Sequence, residues 1–233
     1  YHRILGNLLA LQKAKIVFTV SEYQKQRIVE HYKLQENKVR VIYHGWEHMK
    51  RIESNDAVFA KYKEISRHNY FLALGSVIKY KNLKWAIHFA MKNPEYQFVF
   101  VGKVFKADVE EVTKGISLKN VIFTGYVSDE EMKALVENAK ALIYPSLYEG
   151  FGLPPLEAIA CGTEAIVSNA TCLPEIYQNY VYYIDPYDLD VSIEDVYRQT
   201  IEPSSGLLNK YSWKKAAMQL WETIERFENR NAK

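Results

Sequence analysis

Apolar and polar positions along this chain follow two alternating rhythms. Short apolar runs occupy residues 16–20, 39–43, 71–74, 98–101, 121–124, 141–144, 165–168 and 181–184. Runs of four or five bounded by turn residues predict buried strands. Between them the apolar spacing shifts to three and four over residues 22–32, 83–91, 129–139 and 155–161, which predicts helices. A shorter helix is expected over 57–66. A terminal one is expected over 213–227, where Trp213, Ala217, Leu220, Trp221, Ile224 and Phe227 recur mainly at three and four. Strand–helix alternation predicts an α/β protein, a Rossmann-like parallel sheet with helices on both faces. Ligands of such sheets bind outside the carboxyl ends of the strands.

At those ends stand Gly75-Ser76, Gly102-Lys103, Gly125-Tyr126 and Glu149-Gly150. The last pair opens the most informative stretch, YPSLYEGFGLPPLE (residues 144–157), which sets Glu149 in a glycine-rich loop and Glu157 in the helix that follows. Gly150 and Gly152 leave the loop N–H groups open to close approach. Pro154 and Pro155 suit a first helical turn, where a missing N–H costs little. The start of that helix favours a phosphate. A carboxylate beside a phosphate would be repelled, so Glu149 and Glu157 are expected to address hydroxyls on either side of it. A sugar and a ribose joined by a diphosphate suit that layout. Taken alone, Glu157 could instead close a cap about three residues into its helix, and Glu149 could be a solvated loop acid. The whole string, between a strand and a helix, points to a nucleotide-sugar site.

Composition narrows the alternatives. The 30 basic and 28 acidic residues leave a formal net charge of +2, against the basic face of a dedicated nucleic-acid binder. A hydrophobic content of 48% is ample for a core. Cys161 and Cys172 make no disulfide framework or zinc spacing and are expected to be packing residues. No GxGxxG fingerprint is present, which counts against a nicotinamide-dependent dehydrogenase. Asp188 and Asp190 have the spacing of a metal-binding pair, but a helix cap by Asp188 explains them more simply. Ser128 and Glu131 have capping-box spacing. Charges interrupt every apolar run and no leader pattern opens the chain, so a cytoplasmic protein is expected.

The segment ALIYPSLYEGFGLPPLEAIACGTEAIVSNATCLPEI (residues 141–176) resembles the donor-binding half of retaining glycosyltransferases of the GT-B fold, in the large GT4-like group 1 family. Two glutamates separated by seven residues are that family's signature, matched by Glu149 and Glu157. The resemblance continues through VFTVSEYQKQRIVEHY, GSVIKYKNL, FVFVGK, VIFTGYVSDEEMKALVENA, YIDPYDLD and YSW. It implies a remnant of the N-terminal acceptor domain with a hinge in residues 1–48 and a donor-binding domain in 49–233. It further implies that Glu149 is catalytic beside the donor sugar and that Glu157 accepts from ribose hydroxyls. The N–H groups of Gly150, Phe151, Gly152 and Leu153 would touch sugar and phosphates, with Ser76, Lys81 and Lys103 at the diphosphate side. Tyr126 and Val127 would meet the nucleobase. The family's arginine near Lys81 is replaced by Tyr80 or Val77, and its proline at position 164 by Glu164.

The donor would be a nucleotide sugar such as a UDP- or GDP-sugar, with no metal cofactor. The acceptor, a glycan or a lipid-linked glycan, would be met through the N-terminal domain, and the full enzyme could associate peripherally with a membrane. Residues 1–43 are expected to pair with a second copy in a dimer or to stay mobile, and this chain alone is expected to transfer nothing. The alternative is a non-catalytic nucleotide-sugar-binding subunit that needs a partner chain.

Overall fold

The computed structural model describes residues 10–76 and 78–231. All eight expected strands form within one or two residues of their predicted bounds. β1 (Val17–Thr19) and β2 (Val39–Val41) pair in parallel as a separate two-stranded sheet. The main sheet comprises β3 (Tyr70–Gly75), β4 (Gln97–Gly102), β5 (Val121–Gly125), β6 (Ala141–Tyr144), β7 (Glu164–Ser168) and β8 (Tyr182–Ile184). All of its ladders are parallel, and the spatial order is β5-β4-β3-β6-β7-β8. Strand order therefore reverses between β3 and β6. In sheets of this Rossmann order a crevice opens at that reversal.

The alternation of the pleat builds a core on each face. Phe71, Ala73, Phe98, Phe100, Ile143 and Ile166 pack on one side, with Trp85, Ile87 and Phe89 from α3 (Leu83–Lys92). Tyr70, Leu72, Val99, Val101 and Leu142 pack on the other, against Ala134 and Leu135 of α5 (Asp129–Glu137). The inner strands β3, β4, β6 and β7 are covered on both sides, which is why they are apolar runs rather than alternating patterns, whereas the edge strand β5 leaves Phe123 exposed. The expected capping box starts α5: Ser128 accepts from the Glu131 N–H, and Glu131 accepts from the Ser128 N–H.

Several local expectations change. The helix expected over 57–66 is α2 (Ala57–Lys61) and stops early. The hydroxyl of Tyr62 reaches the Thr124 carbonyl at 2.6 Å, and Ile65 turns into the core, which takes the chain off the helical path. Asp188 caps no helix; its Oδ1 accepts from the Asp190 N–H at 2.8 Å in a local turn. Ser192 caps α8 (Ile193–Tyr197) instead, accepting from Asp195. Four helices escaped the periodicity: α4 (Lys106–Thr113), α7 (Leu173–Tyr177), α8 and α9 (Ser205–Lys210). With eight residues or fewer, each holds too few apolar positions to display a 3.6-residue period.

Outside the sheet, α1 (Glu22–Tyr32) has no buried residue, yet its N-terminus is anchored. Ser21 caps it and donates to the Gly150 carbonyl at 2.6 Å. The carboxylate of Glu175 accepts from the N–H groups of Glu22 and Tyr23 at 2.8 and 2.9 Å. A 3-10 turn (Glu47–Arg51) follows β2, and the C-terminal helix is α10 (Trp213–Asn231). No described helix is long and apolar enough to cross a membrane.

Candidate functional site

The glycine-rich loop leaves β6 and enters α6 (Leu153–Ala160) at the reversal of strand order. Gly152 is the N-cap residue, with φ at +81°. A Cβ there would come within 2.6 Å of Leu173 Cδ2, so the position demands glycine twice over. Tyr177, wholly buried, clasps the junction: its hydroxyl donates to the Gly152 carbonyl and accepts from the Leu156 N–H. Burial pushes that phenol far above its usual range, which keeps it a donor.

This left-handed cap starts the helix at Leu153, two residues before Pro155. Glu157 is therefore the fifth helical residue, beyond the first turn, and the capping role that about three residues in would have allowed is gone. The helix start is also poorer in donors than expected. Pro154 and Pro155 have no N–H, and that of Leu156 is spent on Tyr177. What remains for an anion are the N–H groups of Gly150, Phe151, Gly152 and Leu153, which meet no protein acceptor among the described residues.

Glu149 is no solvated loop acid; its side chain is only 12% exposed. Its Oε1 accepts from Lys81 Nζ and from the Tyr144 hydroxyl, each at 2.7 Å. Lys81 Nζ also donates to the Tyr144 oxygen at 2.9 Å and lies 5.0 Å from the centre of that ring. Burial first, then the Glu149 charge, drives the Tyr144 phenol well above its usual range, so it stays a donor. Lys81 ends a 3-10 turn (Lys79–Lys81), and Asn82 ties this turn to the loop by donating to the Pro145 and Pro186 carbonyls. An ammonium has three donors, and two are used here. The third N–H of Lys81 and the Oε2 atom of Glu149 make no hydrogen bond among the described residues.

Glu157 is held from elsewhere. Its Oε1 lies 2.8 Å from His48 Nε2, and His48 Nδ1 lies 3.0 Å from the indole Nε1 of Trp213. A cavity of about 220 Å³ beside it is lined by Leu74 and Leu142 at the reversal and by Asp129, Met132 and Lys133 of α5. Lys133 Nζ donates to the Met49 and Ile52 carbonyls, at 3.0 and 2.7 Å, and so fastens the segment that carries His48.

The remaining predicted positions share the same sheet edge. Ser76 follows β3, and its hydroxyl accepts from the Ile78 N–H at 3.2 Å. Lys103 follows β4, with Nζ 4.9 Å from the ring of Phe105. Tyr126, beyond β5, is 85% exposed, while Val127 is buried. Lys103 and Tyr126 contact neither glutamate among the described hydrogen bonds. Phe151 turns inward against Tyr43, His44 and Tyr211, so only its backbone is offered to a ligand. Cys172 is buried in the core and Cys161 packs half-buried against it, and burial pushes the thiols up to about 11 for Cys161 and about 12 for Cys172. Tyr144, Tyr177 and His48 were not anticipated. Tyr144 was hidden as the last residue of an apolar strand, and the partner of His48 is 109 positions away. Among the described residues no three His, Cys, Asp or Glu side chains gather as a metal would need.

The architecture is that of the GT-B glycosyltransferases. HepE from Anabaena in complex with UDP and glucose superposes with a TM-score of 0.77, at 17% identity, over 96% of this chain and 66% of that one. Sucrose-phosphate synthase from Thermosynechococcus elongatus gives a TM-score of 0.75 at 20% identity, over 98% and 62%. The family model for glycosyl transferases group 1 matches residues 54–203, more than half of the chain, and the chain belongs to that family. The O-antigen chain mannosyltransferase RfbU of Salmonella typhimurium is 34% identical over 196 residues, which are 81% of this chain and 51% of that enzyme. The O-antigen chain mannosyltransferase B of Escherichia coli is 26% identical over 90% of this chain and 60% of its own length. The chain thus spans little more than half of these relatives.

Proposed function

We propose that this chain binds the nucleoside-diphosphate sugar of a retaining glycosyltransferase, and that the whole protein transfers a hexosyl residue to a glycan or lipid-linked acceptor in surface polysaccharide synthesis. The observation that carries this reading is the placement of two acids around one set of unpaired N–H groups, with Lys81 bonded to the first acid. Glu149 Oε2 would take a hydroxyl of the donor sugar and hold its reactive carbon in place. The N–H groups from Gly150 to Leu153 and the third donor of Lys81 would receive the diphosphate and stabilise it as it leaves, without a metal. Glu157 would accept from the ribose hydroxyls, and Tyr126 with Val127 would flank the base. Two relatives are named as mannosyltransferases of O-antigen chains, which supports a hexose donor.

Calorimetry with a panel of UDP- and GDP-sugars tests the reading. One nucleotide class is expected to bind, with chelator present or absent. No binding by any member would overturn the proposal. A second readout concerns turnover. Orientation of donor and acceptor in a dry cleft supplies much of the rate, and in this reading the acceptor wall would come from the length of the relatives that this chain does not span. This chain alone is expected to bind donor yet transfer nothing, and robust transfer by it would contradict the division of labour drawn here.

A further inference from the structure

We infer that His48 is a positioning residue for the ribose-binding carboxylate, locked in one tautomer by Trp213; this rests on the assignment of Glu157 to the ribose. An indole N–H can only donate, so His48 Nδ1 must be its acceptor. The ring hydrogen is then on Nε2, which donates to Glu157 Oε1. The indole is itself fixed. Trp213 opens α10, and its backbone N–H donates to Glu47 Oε2 at 2.9 Å, from the residue just before His48. Gly45 completes the contact, since a Cβ there would fall 2.0 Å from the Trp213 nitrogen. The chain just before the turn that carries His48 therefore meets the first residue of α10 backbone to backbone.

The consequence falls on Glu157. A glutamate on a helix surface rotates about three side-chain bonds, and ordering it costs entropy each time a ligand binds. His48 holds one oxygen in advance, while Oε2 makes no hydrogen bond among the described residues, beside the cavity that Glu157 helps line. A pair of vicinal ribose hydroxyls then meets a carboxylate already set. The sensitivity this predicts is specific: losing His48 should weaken recognition of the ribose hydroxyls and leave the phosphate contacts intact.

Nucleotides with and without those hydroxyls decide it. UDP and GDP are titrated calorimetrically into the chain beside their 2′,3′-dideoxy counterparts, and the ratio of the two affinities is read for whichever base binds. The wild-type chain is expected to favour the ribonucleotide, and Glu157→Ala to abolish the preference. His48→Ala should cut the preference about fivefold and add nothing in the Glu157→Ala background, since it acts through that carboxylate. His48→Gln, whose amide can donate to Oε1, should restore most of the preference. Trp213→Phe, which keeps a ring but loses the N–H, should lower it partly. Equal weakening of ribo- and dideoxynucleotide by His48→Ala would reduce His48 to a packing residue, and an unchanged ratio would remove it from the site. If the wild-type chain shows no preference at all, the ribose assignment of Glu157 itself fails.

Discussion

Glu149 and Glu157 lie one loop apart in sequence, yet they belong to different mechanical parts of the molecule. Glu149 is gripped within the sheet domain, by Lys81 after β3 and Tyr144 at the end of β6. Glu157 faces outward from α6, is more exposed at 29%, and takes its donor from the segment after β2, braced by the start of α10. The end of the site we propose for the sugar is thus preformed by the strands that make the reversal. The end we propose for the ribose depends on the segment after β2 and the start of α10. Perturbing the segment after β2 or the start of α10 should reach Glu157 and spare the side-chain contacts of Glu149 with Lys81 and Tyr144.

The largest effect is expected where the two arms join. Gly152→Ala would force a Cβ into a left-handed residue, costing about 1–2 kcal/mol. Crowding against Leu173 adds a further 1–3 kcal/mol or so. Urea unfolding should show a loss of about 2–5 kcal/mol, with both arms weakened together. Unchanged stability would mean that the loop repacks freely and that the arms are less tightly joined than drawn.

Next come the arms taken singly. Charge-assisted hydrogen bonds are worth about 1.5–3 kcal/mol each, so Lys81→Ala should weaken a nucleoside diphosphate at least about tenfold. It should leave the free nucleoside nearly untouched, because its contact is to phosphate. Glu157→Ala should weaken nucleoside and nucleoside diphosphate alike, by about tenfold, with the fold intact. Matching calorimetric losses for both ligands in the Lys81 variant would sink the phosphate assignment. Equal affinity of wild type and Glu157→Ala for either ligand would make Glu157 a surface acid.

These contrasts also mark what could be read from sequence. The central strands were legible because burial on both faces writes an unbroken apolar run, as in Phe71-Leu72-Ala73, and the outer ones because apolar residues still dominate them although Phe18, Arg40 and Phe123 are exposed. The loop carrying Glu149 and the glycines was legible because strand end, loop and helix are local features, whereas Lys81, which the structure sets against Glu149, was singled out through the family resemblance. The start of α6 was misplaced by two residues because proline suggested a first turn, whereas the left-handed cap at Gly152 sets it earlier. The tie between His48 and Glu157 was invisible for a different reason. It joins segments 109 positions apart, through a turn with no periodicity, and only the folded path of the chain brings them together. Tyr144 was read as one more strand residue, since nothing in an apolar run reveals that its hydroxyl ends beside a carboxylate.

The smallest expected effect probes the outer brace of the ribose arm. Glu47 accepts from the N–H groups of Trp213 and Trp46, at 2.9 and 3.2 Å, and so caps α10 from a distant part of the chain. Burial alone would raise its carboxyl, but those N–H groups and the Ser212 hydroxyl outweigh it and hold the group below the ordinary 4.5. A carboxyl depressed in the folded state contributes stability that is fully present above its unfolded value and is lost as pH falls through the folded one. Glu47→Gln should therefore cost about 0.5–1 kcal/mol at neutral pH, the scale of a helix cap. The difference from wild type should shrink towards zero as pH falls below the folded value, because the wild-type carboxyl is by then neutral as well. Chemical denaturation at several pH values measures this directly. Since Trp213 orients His48, the same variant should also trim the ribonucleotide preference slightly while leaving the Lys81-dependent phosphate contact alone. A stability difference that persists unchanged at low pH would show that shape, not charge, is what Glu47 supplies, and the ribose arm would then be braced by packing alone.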